Sequence, residues 1–256
     1  MSLPRFHAER LSHGAVLLDE AESRHALASL RLRPGDQAEL IDGRGGRAVG
    51  ILQPPEPTDK RAARRQAVFL VQNIQRDPPI APPLTLIVAA CKGPRLAWMV
   101  EKLTEFGVSR VILAEFERSV VRTAAGHADK LRRTALEACK QSGGLWLPEI
   151  IAGVALADVI ALPAVAPEPR NGGSPRLLIA HPDLKAQAAV DEIRVCIAGQ
   201  RAVQVVIGPE GGLTEDEVAR LVAAGGCPIR LAPQILRIET AAMAVAALWA
   251  GQIRSR

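Results

Sequence analysis

Four of the six residues from Pro78 to Pro83 are proline, and the hydrophobic rhythm of the chain differs on the two sides of that run. Proline fixes its own φ, removes an amide donor and pushes the preceding residue to extended backbone, so Asp77–Pro83 can join neither a helix nor a central strand. Before it, short apolar runs alternate with turn residues. Ala38–Asp42 and Ala48–Leu52 flank Asp42-Gly43-Arg44-Gly45-Gly46, a hairpin signal, and Pro34-Gly35-Asp36 marks another turn. Val68–Ile74 is a further strand and Glu22–Leu30 a short helix, a pattern that predicts a small β-barrel. After the run, strands and helices alternate. Leu84–Ala90, Val108–Ala114, Leu177–Ala180, Ala202–Ile207 and Pro228–Leu231 read as buried strands. Between and after them lie helices over Leu96–Phe106, Ala128–Gln141, Lys185–Ala198, Thr214–Ala224 and Glu239–Gln252. That alternation predicts a mostly parallel sheet covered on both faces. The expected division is therefore a domain over 1–78, a linker over 79–83 and an α/β domain over 84–256, with an exposed insertion from Pro163 to Pro175.

Composition narrows the function classes. Aromatic residues make up only 3% of the 256, with no tyrosine, so the core is aliphatic. No stretch is long and apolar enough to span a bilayer, and Pro4, Arg5, His7, Glu9 and Arg10 interrupt any signal-peptide pattern, so a cytoplasmic location is expected. Cys91, Cys139, Cys196 and Cys227 have neither zinc spacing nor a neighbouring histidine, which predicts no metal and four buried thiols. A net charge of +5 is compatible with a polyanionic partner without requiring one. The basic residues do cluster, at Lys60, Arg61, Arg64 and Arg65 and at Lys130, Arg132 and Arg133.

Two segments carry chemistry. In Val205–Glu217 a buried strand runs through Gly208-Pro209-Glu210-Gly211-Gly212 into a helix whose start is fixed by the capping box Thr214…Glu217. The glycines let a ligand approach the main chain, at the carboxyl end of a strand where open α/β sheets bind ligands. No Lys-Ser/Thr pair follows, so this is no P-loop, and Glu210 would repel a phosphate. The turn suits a cationic or hydrogen-bond-donating ligand, or is simply tight. The second segment, Arg230–Ala244, leads from a strand through Gln234-Ile235-Leu236-Arg237 to Glu239 and Thr240, which would cap the last helix. Read locally, Glu239 complements the helix N-terminus and Arg237 pairs with a carboxylate.

Together, Gly208-Pro209-Glu210-Gly211-Gly212 and Ile235-Leu236-Arg237 followed by Glu239-Thr240-Ala241 resemble the two signatures of the bacterial 16S ribosomal RNA uridine N3-methyltransferases, of the SPOUT class. Further matches run in order along the chain: Arg5-Phe6, Glu22-Ser23-Arg24-His25, Leu30-Arg31, Lys92-Gly93, Glu101–Gly107, Glu117-Arg118-Ser119, Gln141-Ser142 and Pro148. The chain departs from the family at Ala232 and Gln234, where Gly and Arg are usual, and at Gly143-Gly144-Leu145, where an Arg usually follows Gln-Ser.

The resemblance implies a PUA-like β-barrel ahead of a SPOUT domain whose C-terminal part forms a trefoil knot. Periodicity shows no knot, and general topology rules disfavour one. The implied cofactor is S-adenosylmethionine, held by three loops containing Ala180 and His181, then Ile207, Gly208, Pro209, Gly211 and Gly212, then Leu231, Ile235 and Leu236. Thr240 is implied either at the cofactor or as a cap. Glu210 or Glu239 would accept or orient the uridine N3 proton, and Arg237 would stabilise charge on the uracil carbonyl oxygens. Arg5, Arg24, Arg31, Arg33 and Arg118 are the implied RNA contacts. The implied partners are the 16S RNA of the small ribosomal subunit and a second copy of the chain in a homodimer. Two alternatives stay open: a related SPOUT enzyme acting on a ribose 2′-OH or another base, and a non-catalytic ribosome-assembly factor.

Overall fold

The structure is a computed structural model that describes residues 3–54, 66–123, 126–161, 175–182 and 186–253. The basic run at 60–65 and most of the expected insertion at 163–175 lie outside the described residues. The chain forms two compact units, one of Met1–Pro79 with Cys139–Leu147, the other of Ile80–Ala138 with Pro148–Arg256.

The first unit is built on five strands, β1 (Arg5–His7), β2 (Gly14–Leu17), β3 (Gln37–Ile41), β4 (Gly46–Leu52) and β5 (Val68–Arg76), ordered β1-β3-β4-β5-β2. β1 runs parallel to β3 and the other pairs are antiparallel. The strands pack over a core of Phe6, Leu40 and Phe69, the small β-rich unit that the turn-punctuated runs predicted. The β3–β4 hairpin forms where the glycines predicted it. Asp42 closes it by accepting at Oδ1 from the amides of Arg44 and Gly46, both at 2.8 Å. The expected helix over 22–30 is two pieces, α1 (Glu20–Arg24), capped by Asp19, and a π-helical turn over His25–Ser29. Residues 139–147 belong here as well. The Gly45 amide donates to the Leu145 carbonyl and the Leu147 amide to the Gly43 carbonyl. The Trp146 indole donates to the Asp77 carbonyl at 3.1 Å.

The second unit is a seven-stranded parallel sheet. Its strands are β6 (Leu84–Ala89), β7 (Arg110–Glu115), β8 (Glu149–Ala155), β9 (Arg176–Ala180), β10 (Gln187–Ala188), β11 (Val203–Ile207) and β12 (Cys227–Arg230), ordered β10-β12-β9-β11-β6-β7-β8. All six residues of β6 are buried, as a central strand covered on both faces requires. The helices are α2 (Pro94–Glu105), α3 (Gly126–Ser142), α4 (Leu156–Ala161), α5 (Ala189–Ala198), α6 (Glu215–Ala223) and α7 (Ile238–Ala250). α2 buries Leu96, Met99, Val100 and Leu103 on one face, and Pro94 occupies its first turn, where a missing amide costs nothing. α7 is apolar nearly all round. It buries Trp249 completely, and the indole donates to the Pro82 carbonyl at 3.1 Å, so the end of the proline run is tied to the last helix.

Two features of the sheet position the site. β9 lies between β11 and β12, and β12 between β9 and β10, so successive strands cross over one another at this edge, where the resemblance places its knot. The carboxyl ends of β9, β11 and β12 are therefore neighbours, although their loops are far apart in sequence. Strands β1, β2, β8 and β10 and helix α4 had no expectation from sequence, and the helix expected from Lys185 begins at Ala189. The last helix also starts differently from expectation. Its N-cap is Arg237, with no side-chain capping bond, so Glu239 and Thr240 lie inside the first turn.

Candidate functional site

Three loops leave the carboxyl ends of β9, β11 and β12 and enclose a cavity of about 350 Å³. The first contributes Ala180, His181 and Pro182, the second Ile207 to Leu213, and the third Leu231, Ala232 and Gln234 to Leu236. Ile238 and Ala241, one turn apart on α7, form part of the wall. Backbone hydrogen bonds fix the first two loops. The His181 amide donates to the Ile229 carbonyl at 2.9 Å, which ties the β9 loop to β12. In the β11 loop the Gly212 amide returns to the Pro209 carbonyl at 2.8 Å, with Gly212 at φ 74°, a left-handed conformation that glycine adopts at little cost. The helix that follows carries the predicted capping box, with Thr214 Oγ1 accepting from the Glu217 amide and Glu217 Oε2 from the Thr214 amide.

The chemistry of the lining selects its ligand. Among the described residues no Lys or Arg lines the cavity, and Glu210, exposed, is the one carboxylate on its wall. Glycine and proline backbone and aliphatic side chains supply most of the rest. Such a wall offers main-chain donors and acceptors, a flat apolar surface and one negative charge. It fits a sulfonium nucleoside such as S-adenosylmethionine and opposes a polyphosphate. Among the described residues no group of three or more His, Cys, Asp or Glu could hold a metal ion, and no helix is long and apolar enough to cross a membrane.

The model of the RNA methyltransferase domain matches residues 78–250, and that of the RNA methyltransferase PUA domain matches residues 18–58. The chain belongs to this RNA methyltransferase family. It is 33% identical to the ribosomal RNA small subunit methyltransferase E of Mycobacterium bovis, over 95% of this chain and 88% of that protein. It is 29% identical to the protein of the same name from Bacillus subtilis, over 86% and 83%. Its fold superposes, with a TM-score of 0.77 and 28% identity, on a ribosomal RNA small subunit methyltransferase E from Neisseria gonorrhoeae bound to S-adenosyl methionine, covering 96% and 95% of the two chains.

The methyltransferase brings together in one cavity Ala180, His181, Ile207, Gly208, Pro209, Glu210, Gly211, Gly212, Leu231, Ile235 and Leu236. Three other candidates lie off the wall. Arg237 is exposed and sits between the lining residues Leu236 and Ile238, and Thr240 faces solvent. Glu239 is buried, 6% exposed, and its Oε1 is bound by Arg95 Nη1 of α2 at 3.2 Å. Its Oε2 is buried with no hydrogen-bond partner. Nearby, burial first and the negative charge of Glu239 second push the Cys91 thiol up to about 11, so it stays protonated and unreactive.

The basic candidates are dispersed. Arg24, Arg31 and Arg33 are exposed in the first unit. Arg24 is paired with Glu20, and Arg31 has φ 55°, unusual for a side chain with a Cβ. Arg5 is engaged with Glu39 and with the Gly144 carbonyl. Arg118 donates to the Gly211 carbonyl at 3.0 Å. Sequence reasoning did not find Leu213, Ile238 and Ala241 on the wall. The one-turn spacing of the last two, at the start of an apolar helix directly after the signature loop, was the available signal. Arg95 gave none, because its partner lies 144 residues away.

Proposed function

We propose that the chain transfers the methyl group of S-adenosylmethionine to N3 of a uridine in the 16S RNA of the small ribosomal subunit. The observation that carries this reading is the cavity: three loops of mostly main-chain character with, among the described residues, one carboxylate and no Lys or Arg on the wall, and an exposed arginine directly after the last loop. The names of the relatives support small-subunit RNA as substrate, and the N3 position follows from the resemblance of the two signature segments. When bound, S-adenosylmethionine supplies an already activated methyl group, so the protein's task is chiefly alignment and proton management.

The loops after β9, β11 and β12 would hold the cofactor through backbone groups. Glu210 is the carboxylate best placed to accept or orient the N3 proton, since it is exposed on the cavity wall whereas Glu239 is buried against Arg95. Arg237 would face the uracil carbonyl oxygens as charge develops there. Because N3 is a pairing position, the target base must be unstacked and unpaired. Arg24, Arg31 and Arg33 would hold RNA backbone, while Arg5 serves the fold through Glu39. A homodimer and a cytoplasmic location complete the reading on the strength of the resemblance.

The test is titration of the purified protein with S-adenosylmethionine, followed by incubation with small subunits lacking the modification and nucleoside analysis of the 16S RNA. One methyl group at uridine N3 is the expected product. A methyl on a ribose 2′-OH or another base would move the substrate. Cofactor binding with no transfer to that RNA would remove it.

A further inference from the structure

The segment that follows β7 touches the signature loop at two points. Arg118 Nη1 donates to the Gly211 carbonyl at 3.0 Å, and its stem packs against the same glycine. A Cβ built on Gly211 would lie 3.3 Å from Arg118 Cβ. One residue earlier, Glu117 Oε2 accepts from the Thr214 hydroxyl at 3.1 Å, and the Glu117 amide donates to Glu217 Oε1 at 2.8 Å. The two oxygens of Glu217 therefore serve different strands of the structure, one the cap of α6 and the other the Glu117 backbone. The brace is itself held in shape, because Ser119 Oγ accepts from the Phe116 amide at 2.9 Å.

From this geometry we infer that Arg118 is a positioning residue for the cofactor loop rather than an RNA contact. The inference concerns the loop, and it stands whichever nucleotide is methylated. Gly208–Gly212 holds three glycines, so its backbone has the largest conformational freedom to lose when a ligand orders it. A cavity whose ligand contacts are mainly main-chain cannot restrain that loop through its own side chains. The restraint comes from outside, through a charged donor on the Gly211 carbonyl and a carboxylate clamp on Thr214. Among the described residues Arg118 has no salt bridge, so its guanidinium is not committed to a competing carboxylate. A loop ordered beforehand spends less binding energy on ordering when the cofactor arrives.

Three proteins, wild type, Arg118→Ala and Arg118→Lys, decide the matter by three readouts. The first is hydrogen exchange of the 208–213 amides without cofactor. The second is the S-adenosylmethionine dissociation constant, and the third is the salt dependence of binding to a short RNA hairpin. Arg118→Ala should speed exchange in 208–213 alone and weaken cofactor binding about tenfold, the scale of one hydrogen bond from a charged donor. Arg118→Lys, which keeps a charged donor, should restore most of both, and the RNA salt slope should not move. Unchanged cofactor affinity in Arg118→Ala overturns the assignment. If the RNA slope also falls by about one, Arg118 is a phosphate contact instead. Faster exchange throughout the second unit, with no rescue by lysine, overturns it in favour of a general structural role.

Discussion

Lys140 Nζ meets Glu22 Oε1 at 2.5 Å with both side chains only 6% exposed, a buried ion pair that joins residues 118 positions apart. Glu22 Oε2 also accepts from the His7 amide at 3.2 Å, so one carboxylate serves α1, β1 and the 139–147 segment. Removing one partner leaves an uncompensated buried charge. Lys140→Met should therefore destabilise the first unit by about 3–5 kcal/mol. Lys140→Met combined with Glu22→Leu should recover part of that loss, since two apolar groups need no pairing. Urea unfolding followed by Trp146 fluorescence checks both. A double variant no better than the single one would mean that the His7 bond outweighs the ion pair.

Asp42 supplies a pH signature. Burial raises its carboxyl, but the Arg44 and Gly46 amides and the Arg76 guanidinium together outweigh that and hold it below the ordinary 3.8. A carboxyl depressed in the folded state contributes stability that is complete above the unfolded value and lost as pH falls through the folded one. Asp42→Asn keeps the Oδ1 acceptor for both amides and removes the charge facing Arg76, whose side chain is 60% exposed. The expected loss is about 1 kcal/mol at pH 7, small because solvent screens the pair, and it should shrink as pH falls below 3.8 and through the lowered folded value. Unfolding midpoints at pH 7, 4 and 2.5 measure it. A penalty that does not shrink between pH 4 and pH 2.5 would assign the effect to geometry rather than charge.

Much of the fold was legible because hydrophobic rhythm survives in isolation. The buried runs of β6, β7 and β11, the α2 stripe and the Thr214–Glu217 box are local patterns, and each lies within two residues of its expected limits. What was not legible depends on partners distant in sequence. β1 has three residues and exists because β3 offers it a ladder, and β8 is an edge strand held by its parallel ladder with β7, whose register shifts between Leu113 and Ala114. The cavity loops could be named from the signatures, but their union into one wall follows from β9 lying between β11 and β12. Glu239 shows the limit most clearly. Its place next to Arg237 suggested chemistry, and only the tertiary ion pair with Arg95 separates it from Glu210.

That separation has a kinetic consequence. Glu210→Gln removes the one carboxylate that the described residues place on the cavity wall while leaving an exposed side chain of the same size, so stability should hold and the transfer rate should fall about a hundredfold or more. Glu239→Gln removes charge from a buried carboxylate whose Oε2 is already unpartnered. It should alter the melting temperature and change the rate by only about threefold, less than one lost charged hydrogen bond would. Single-turnover methylation and thermal unfolding of both variants distinguish them. A large rate loss in Glu239→Gln with Glu210→Gln unaffected would exchange the two roles.

Arg237 makes the sharpest division between binding and chemistry. It caps α7 through its backbone, with no side-chain capping bond, and its side chain is exposed beyond the loop that ends at Leu236. Truncating it should therefore spare both the helix and the backbone-built cofactor wall. If the guanidinium meets charge that develops on the uracil carbonyls, Arg237→Ala should lower the transfer rate about 10²–10³-fold. The S-adenosylmethionine dissociation constant should stay within about threefold, since uniform binding is untouched. Titration of the cofactor and single-turnover transfer to unmodified small subunits give the two numbers on one protein preparation. Equal losses in both would make Arg237 part of the cofactor wall, and weaker subunit binding at an unchanged saturated rate would make it an RNA contact.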